Sequence, residues 1–320
     1  MPRRSGWSAS SQYGTRWWVI AGLVALLVVD AALVWVALSS NRASASAAAP
    51  TTVELTPATP VAGATPEQEP TETPTAPAPA GASRVTVVLA AFDAQVAYRA
   101  ATGACPTAQA VVEVTTDGGA TWSPAELEGA SAPTAIAVSS LDEASVLAAT
   151  TEGCEAVAYR TFVRGADWAP GESFAVAWRL EGAEVIAPGG ARSAPCAEPA
   201  QVAAADASAA TVLCGDASFA RTIDGGATWA STDPIAGATA VAMQPGAAGT
   251  GARVLLAGLD GCAGVQVASV TADGSLAAPG ACLTTDAAAG ASTLAVDTAG
   301  GVWVWSGTTV ARSADGGASW

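Results

Sequence analysis

Histidine is absent from this 320-residue chain, and so is lysine, because all 13 basic residues are arginine. Without imidazole there is no Ser-His or Cys-His nucleophile pair, no histidine metal ligand and no side chain whose ordinary pKa lies near neutrality. Lysine Schiff-base chemistry is excluded in the same way. Positive charge is scarce as a whole: the formal net charge is -15, and from Arg84 onward 9 arginines face 23 acids, or 9 minus 23 = -14. Polyanion binding needs clustered cations that displace counterions from phosphates, so nucleic acid is not an expected partner. The acidity keeps the chain soluble. No residue pattern calls for a cofactor, and none is expected.

One long apolar run is present. Residues Trp17 to Leu38 read WWVIAGLVALLVVDAALVWVAL, 22 residues, which as a helix rising ~1.5 Å per residue cover ~33 Å, enough to span a bilayer. Its one charge, Asp30, costs roughly 2.5 to 3.5 kcal/mol at a helix centre, which the surrounding Leu, Val and Ile offset. Asp30 is either a tolerated acid in the outer half or a contact for a partner helix. Arg3, Arg4 and Arg16 precede the run and only Arg42 closely follows it, so the positive-inside bias predicts a cytoplasmic N-terminus, residues 1–16, and an extracytoplasmic remainder. Ala43, Ser44 and Ala45 would suit signal cleavage, but the run exceeds the ~7 to 15 residues of a signal h-region, which favours an uncleaved single-pass anchor.

Residues 39–83 turn to Ala, Thr and Pro, as in TPATPVAGATPEQEPTETPTAPAPA. Recurring prolines deny this stretch helix or sheet pairing, and it reads as an extended disordered tether rising ~3.1 Å per residue, with a composition open to O-glycosylation.

From Arg84 onward an eight-residue string recurs: TTDGGATW at Thr115–Trp122, TIDGGATW at Thr222–Trp229 and SADGGASW at Ser313–Trp320. A worn copy, TFVRGADW, ends at Trp168 with Val163 in the Asp position, and a remnant, TADGSLAA, begins at Thr271. The Asp-equivalent positions 117, 163, 224, 273 and 315 are 46, 61, 49 and 42 residues apart, the length of one propeller blade. Asp117, Asp224 and Asp315 can accept backbone N-H groups of their own turns, and Gly119, Gly226 and Gly317 allow φ > 0 where each hairpin closes. Thr115, Thr222 and Ser313 open the strings; Trp122, Trp168, Trp229 and Trp320 supply apolar surface that alanine-rich strands lack. One acid per turn lacks the D-x-D-x-D spacing of a calcium loop, so these residues read as structural, and no metal is expected.

Around each string the chain reads as short strands, RVTVVLAAF, QVAYRA and AVVEVTT in the first unit and TAIAVS, SVLAAT and AVAYRT in the second, with comparable triplets in later units. Three strands before each string and one after make a four-stranded blade, and five strings predict an all-β propeller of about five blades over residues 84–320. The long second interval holds VAWRLEGAEVIAP, an inserted hairpin or a degenerate extra blade. Closing the ring would take an N-terminal strand from Val85 to Leu89; otherwise it stays open.

The pattern S/T-x-D-x-G-x-T/S-W resembles the Asp-box, or BNR, repeat of sialidase-like, sortilin-like and photosystem-assembly-factor-like propellers. The resemblance implies fold more than function, because that family holds enzymes, receptors and assembly proteins. A sialidase would require an arginine triad, a tyrosine nucleophile backed by a glutamate, and an aspartic acid; these do not assemble here. Tyr98-Arg99 and Tyr159-Arg160 read instead as equivalent repeat positions.

Six cysteines, Cys105, Cys154, Cys196, Cys214, Cys262 and Cys282, all lie beyond the tether, as disulfides in an oxidising compartment should. Six allow 15 pairings; nearest neighbours give Cys105-Cys154, Cys196-Cys214 and Cys262-Cys282. The absence of a C-x-x-C pair disfavours zinc. The function expected is a membrane-anchored, non-catalytic binding or scaffold domain for a protein or envelope glycan. The alternative is a divergent glycoside hydrolase, which needs only two carboxylates at a set separation. The lysine-free, alanine-rich composition resembles that of high-GC bacteria.

Overall fold

The computed structural model describes residues 82–320 apart from 104, 107–108, 172–177, 248–250, 272 and 287–289. The predicted cytoplasmic segment, the membrane run and all but the end of the tether lie outside the described residues. Among the described residues no helix is long and apolar enough to cross a membrane.

The repeat spacing becomes a succession of antiparallel sheets, each built from strands adjacent in sequence. Blade 1 comprises β1 (Val87–Ala91), β2 (Ala97–Ala101), β3 (Ala110–Thr115) and β4 (Ser123–Leu127). Blade 2 comprises β5 (Ala130–Val138), β6 (Ala144–Thr150), β7 (Ala156–Thr161) and β8 (Ala169–Gly171). Blade 3 shows β9 (Arg179–Glu181), β10 (Glu184–Ile186) and β11 (Arg192–Ser193). Blade 4 holds β12 (Pro199–Ala204), β13 (Ala210–Cys214), β14 (Phe219–Thr222) and β15 (Ala230–Ser231). Blade 5 holds β16 (Ala238–Ala242), β17 (Ala252–Ala257), β18 (Gly264–Val270) and β19 (Leu283–Thr284). Blade 6 holds β20 (Ser292–Val296), β21 (Val302–Ser306) and β22 (Thr309–Ser313).

The molecule is a six-bladed β-propeller, which corrects the expectation of about five. Counting strings undercounted blades because blade 3 has none. Its strands come from the VAWRLEGAEVIAP insertion and the residues up to Ser193, and its last turn is Ala187–Ala191, with Gly189 and Gly190 both at φ 89°. Trp178 fixes its register. The Trp178 indole N-H donates to the Asp206 carbonyl of blade 4 at 2.9 Å, as Trp303 on the second strand of blade 6 donates to Asp93 of blade 1 at 3.1 Å. β9 therefore occupies the second-strand position of its blade.

The apolar cores lie between neighbouring sheets. Tyr98, Val112, Leu127, Val146 and Tyr159 pack blade 1 on blade 2, and Phe219, Val241, Val254 and Leu256 join blade 4 to blade 5. Among the described residues, no strand is borrowed to complete blade 6. The Val85–Leu89 region forms β1, the first strand of blade 1, and it meets β20 of blade 6 by packing. Hydrogen bonds finish that seam at both ends: Thr86 N-H donates to the Gly290 carbonyl at 2.9 Å, and Thr298 N-H donates to the Phe92 carbonyl at 3.0 Å.

Candidate functional site

Strand direction sorts the loops onto two faces. On one face, the turns between third and fourth strands touch the loops between first and second strands of their own blades: Gly118 N-H donates to Gln95 and Gly225 N-H to Ser208. All the recurring strings lie there. The other face carries the second-to-third-strand loops and the connections between blades.

On the turn face the string residues act on one another. Thr115 donates its hydroxyl to Asp117 Oδ1 at 2.8 Å and accepts the Gly119 N-H at 2.9 Å, while Thr121 donates its N-H and hydroxyl to the two Asp117 oxygens at 2.9 and 2.6 Å. Thr222, Asp224, Gly226 and Thr228 repeat this network, as do Ser313, Asp315, Gly317 and Ser319. These bonds hold all three carboxyls down at about 2. At Asp117 and Asp224 the hydroxyl of Thr121 or Thr228 contributes most, then its N-H, then the Thr115 or Thr222 hydroxyl. At Asp315 the Ser313 hydroxyl leads, followed by Ser319. Every such oxygen is engaged within its own turn, so these residues build the fold and leave little free for a ligand.

The glycines do more than bend. Gly119 sits at φ 90° with room for no side chain, since a Cβ there would stand 3.2 Å from the Trp303 ring; at Gly226 (φ 87°) it would stand 3.3 Å from Trp178. The terminal tryptophans complete the same contact. Trp229 meets Trp178 edge-on at 5.9 Å between centroids, Trp168 meets Tyr98 edge-on at 6.2 Å, and Trp122 joins the Trp303 cluster. Each of these turns thus clamps an aromatic on the second strand of the preceding blade. Sequence reading missed those aromatic partners, and the two tyrosines prove not to be equivalent. Tyr98 lies on a second strand, β2, and Tyr159 on a third strand, β7. Arg99 stacks between Trp122 and Trp305, at 4.2 and 5.0 Å, with its Nε on Glu113 at 2.8 Å, whereas Arg160 pairs with Glu143 and lies over Phe162.

The opposite face carries all three disulfides, Cys105-Cys154, Cys196-Cys214 and Cys262-Cys282, the pairings expected from nearest neighbours. Here the first described residues cross toward blades 3 and 4: Ala82 packs on the core between blades 4 and 5, and Arg84 donates to the Gly182 carbonyl. Between this segment and the blades lies a cavity of roughly 470 Å³ lined by Ser83, Arg84, Gly182, Ala183, Glu198 and Gly215, among others. The Cys196-Cys214 bridge brackets its wall. It ties the strand leading to Glu198 to the loop at Gly215, and Gly215 N-H donates to the Glu198 carbonyl at 2.7 Å. A Cβ on Gly215 would lie 3.0 Å from Glu198 Oε2, so the glycine admits the glutamate. One guanidinium, one carboxylate and exposed peptide groups around a concavity can hydrogen-bond a polar ligand of low net charge. None of these residues stood out in the sequence. Among the described residues, no cluster of three or more acids and cysteines could hold a metal ion.

No known family profile matches this chain, and no curated protein does. Solved structures with similar folds include "YCF48 bound to D1 peptide", at 12% identity over 75% of this chain and 82% of that one, with a TM-score of 0.40. A GH74 enzyme from Niastella koreensis aligns at 14% identity and a TM-score of 0.40 over 72% of this chain, which spans 45% of the enzyme. The BP39L lectin from Burkholderia pseudomallei aligns at 15% identity and a TM-score of 0.38, over 72% of this chain and 85% of the lectin.

Proposed function

We propose that this chain is a membrane-anchored, extracytoplasmic β-propeller of the Asp-box type that binds a protein or envelope glycan without transforming it, through the cavity at the disulfide-bearing face. The anchor and orientation rest on the apolar run at residues 17–38 and the arginines before it. Membership of the Asp-box family rests on three repeated Thr/Ser-Asp-Thr/Ser hydrogen-bond networks, the chemistry that the repeat pattern implies.

The observation that carries the binding role is the cavity itself: a disulfide-braced concavity bearing Arg84 and Glu198, where propeller loops from different blades converge. Peptide amides and sugar hydroxyls both offer the donors and acceptors such a lining takes. A glycosidase would need two carboxylates facing one bond, and among the described lining residues Glu198 is the one carboxylate.

The full chain should bind isolated cell envelopes saturably, and the double variant Arg84→Ala/Glu198→Gln should bind at least tenfold more weakly. Displacement by soluble wall glycan identifies a sugar ligand; loss of binding after protease treatment of the envelopes identifies a protein. Release of reducing sugar by the wild-type chain would overturn the non-catalytic reading, and undiminished binding by the double variant would remove the cavity from it.

A further inference from the structure

The turn face holds a second surface that the cavity does not explain. Among the described residues, six large apolar side chains are exposed, and five of them, Leu141, Phe162, Val163, Ile223 and Leu276, lie on this one face. Ile223 and Leu276 belong to the turns of blades 4 and 5. The other three gather on blade 2, where Phe162 is 63% exposed, Val163 53% and Leu141 42%.

Blade 2 departs from its siblings at the residue that matters most to the turn. Val163 stands where Asp117, Asp224 and Asp315 stand, so the internal carboxylate network is gone. What remains is Thr161 accepting the Gly165 N-H at 2.9 Å and the Val163 N-H at 3.3 Å. Arg164, at φ 58°, donates its N-H to the Asp142 carbonyl at 2.9 Å, the contact with the neighbouring loop that Gly118 and Gly225 also make, and adds to it a guanidinium bond to the Asp142 carboxylate at 2.7 Å. The same loop supplies Leu141 and Glu143, and Glu143 grips the Arg160 that lies over the Phe162 ring. A stabilising acid has been exchanged for one solvent-facing apolar group, Val163, beside Phe162, on a turn propped by an ion pair to the neighbouring loop. Broken local rules are expected at functional or strained sites, and clustered exposed apolar groups mark contact surfaces.

Charge selects the occupant. Both arginines of the patch are matched by acids, while Asp167 beside it and Asp117, Asp206, Asp224, Asp273 and Asp315 around the face are exposed and form no ion pair among the described residues. A second copy of this acidic chain and an anionic lipid surface would both be repelled. We propose that the turn face of blade 2 docks a cationic amphipathic segment of another protein, its apolar side chains on Leu141, Phe162 and Val163 and its Lys or Arg groups drawn by Asp167 and by the net negative charge of the face. The described chain leaves toward the tether from the opposite face, where Ala82 to Arg84 lie, so this surface is clear of the tether's attachment and works independently of the cavity.

The test uses the full chain and a fluorescent amphipathic Leu/Lys peptide of about four helical turns, with a Leu/Glu peptide of equal length as control. The Leu/Lys peptide should bind, should weaken as salt rises from about 0.05 to 0.5 M as ionic contacts are screened, and should bind Phe162→Ser/Val163→Ser at least tenfold more weakly. Both substituted residues are exposed, so an unchanged melting temperature certifies the fold. Glu198→Gln should leave peptide affinity unchanged, and Phe162→Ser/Val163→Ser should leave envelope binding unchanged, which separates this surface from the cavity. Equal affinity of the serine variant for the Leu/Lys peptide, or equal binding of the Leu/Glu peptide by the wild-type chain, would overturn the proposal. So would self-association of the wild-type chain that the serine variant abolishes, because it would identify a second copy as the occupant.

Discussion

Replacing Trp303 should open the ring at one place. Five of the six seams between blades carry no obligation to close the circle, because the chain itself continues across them; the seam between blades 6 and 1 is crossed neither by adjoining sequence nor by any of the three disulfides, which span blades 1 and 2, the approach to blade 4 and blade 4 itself, and the interior of blade 5. Besides the hydrogen bonds at its two ends, what holds this seam is packing around Trp303, which is fully buried against Ala91, Ala97, Ala295 and the partly buried Trp122 ring, and whose indole N-H reaches the Asp93 carbonyl at 3.1 Å. Trp303→Ala removes a large buried ring, at about 3 to 5 kcal/mol, and leaves the Asp93 carbonyl without its donor, at about 1 to 3 kcal/mol more. A loss near 5 kcal/mol is a large share of the ~5 to 15 kcal/mol that holds a domain together. Trp303→Phe keeps most of the ring and should lose about 1 to 3 kcal/mol, the hydrogen-bond part. Urea denaturation with disulfides intact gives the magnitudes, and amide exchange gives the place: protection should fall first in β20–β22 and β1–β2, with blades 3 and 4 retaining theirs. A Trp303→Ala variant that loses less than about 1.5 kcal/mol, or whose exchange rises evenly over all blades, would refute this account of closure.

Acid should loosen the turns within a narrow range. Asp117, Asp224 and Asp315 sit at about 2 in the fold against 3.8 ordinarily, so the stability they contribute is present above about pH 4 and lost as pH falls toward 2; melting temperature followed over that range should fall, and less steeply in the triple Asp→Asn variant. Restoring the lost acid in blade 2 should need two changes: Val163→Asp alone sets a second carboxylate beside Asp167, whereas Val163→Asp with Asp167→Thr rebuilds the network, so the double variant should melt above the single one, and the reverse order would show that the turn no longer accepts it. Tyr98 is buried with no partner for its hydroxyl among the described residues, and burial pushes its phenol up to about 12. Tyr98→Phe should therefore be neutral or stabilising by up to about 1 kcal/mol. In the wild-type chain the phenol stays protonated through its ordinary value near 10 and ionises only near 12, so stability falls as pH rises above about 10, a titration readable at about 295 nm that the Phe variant should lack at this site.

How much of this was legible beforehand depended on whether the information was local. The strings Thr115–Trp122, Thr222–Trp229 and Ser313–Trp320 encode turns whose bonds run within a few residues, and their networks form as the side chains dictate. The alternating strands are nearly as local, and the cysteine pairs, 18 to 49 residues apart, join cysteines consecutive in sequence. Blade 3 was legible only as one of two readings of the VAWRLEGAEVIAP stretch, because its last turn uses Pro-Gly-Gly, which closes by backbone geometry and leaves no acid or tryptophan to recognise. The aromatic partners Trp178, Trp303 and Tyr98 escaped for a different reason. Each is one apolar residue in or just before a short strand, and its role exists only once the next blade's glycine is set above it. The cavity was least legible of all, since Ser83, Arg84, Gly182, Glu198 and Gly215 come from separate stretches and none belongs to a motif.

The two faces solve opposite problems with the same scarce material. In a chain short of aromatics and without lysine, large apolar surface is concentrated where blades meet, and the turn strings hold it there: the second glycine of the blade 1 and blade 4 strings lets the backbone lie flat on an aromatic of the blade before, Gly317 lies in the same way on Val267 of blade 5, and the string's tryptophan closes the far side. That arrangement needs an acid to pin the turn, because an unpinned glycine pair would sample many conformations. Blade 2 keeps the glycine over Tyr98 and the tryptophan at Trp168 but gives up the acid, and its loop supplies Asp142 and Glu143 to compensate. Had Val163 been mere decay, nothing would require the first-to-second-strand loop of the same blade to carry the acids that match Arg160 and Arg164. The paired departure, in two segments about 20 residues apart, is what distinguishes a surface kept for contact from a turn left to drift.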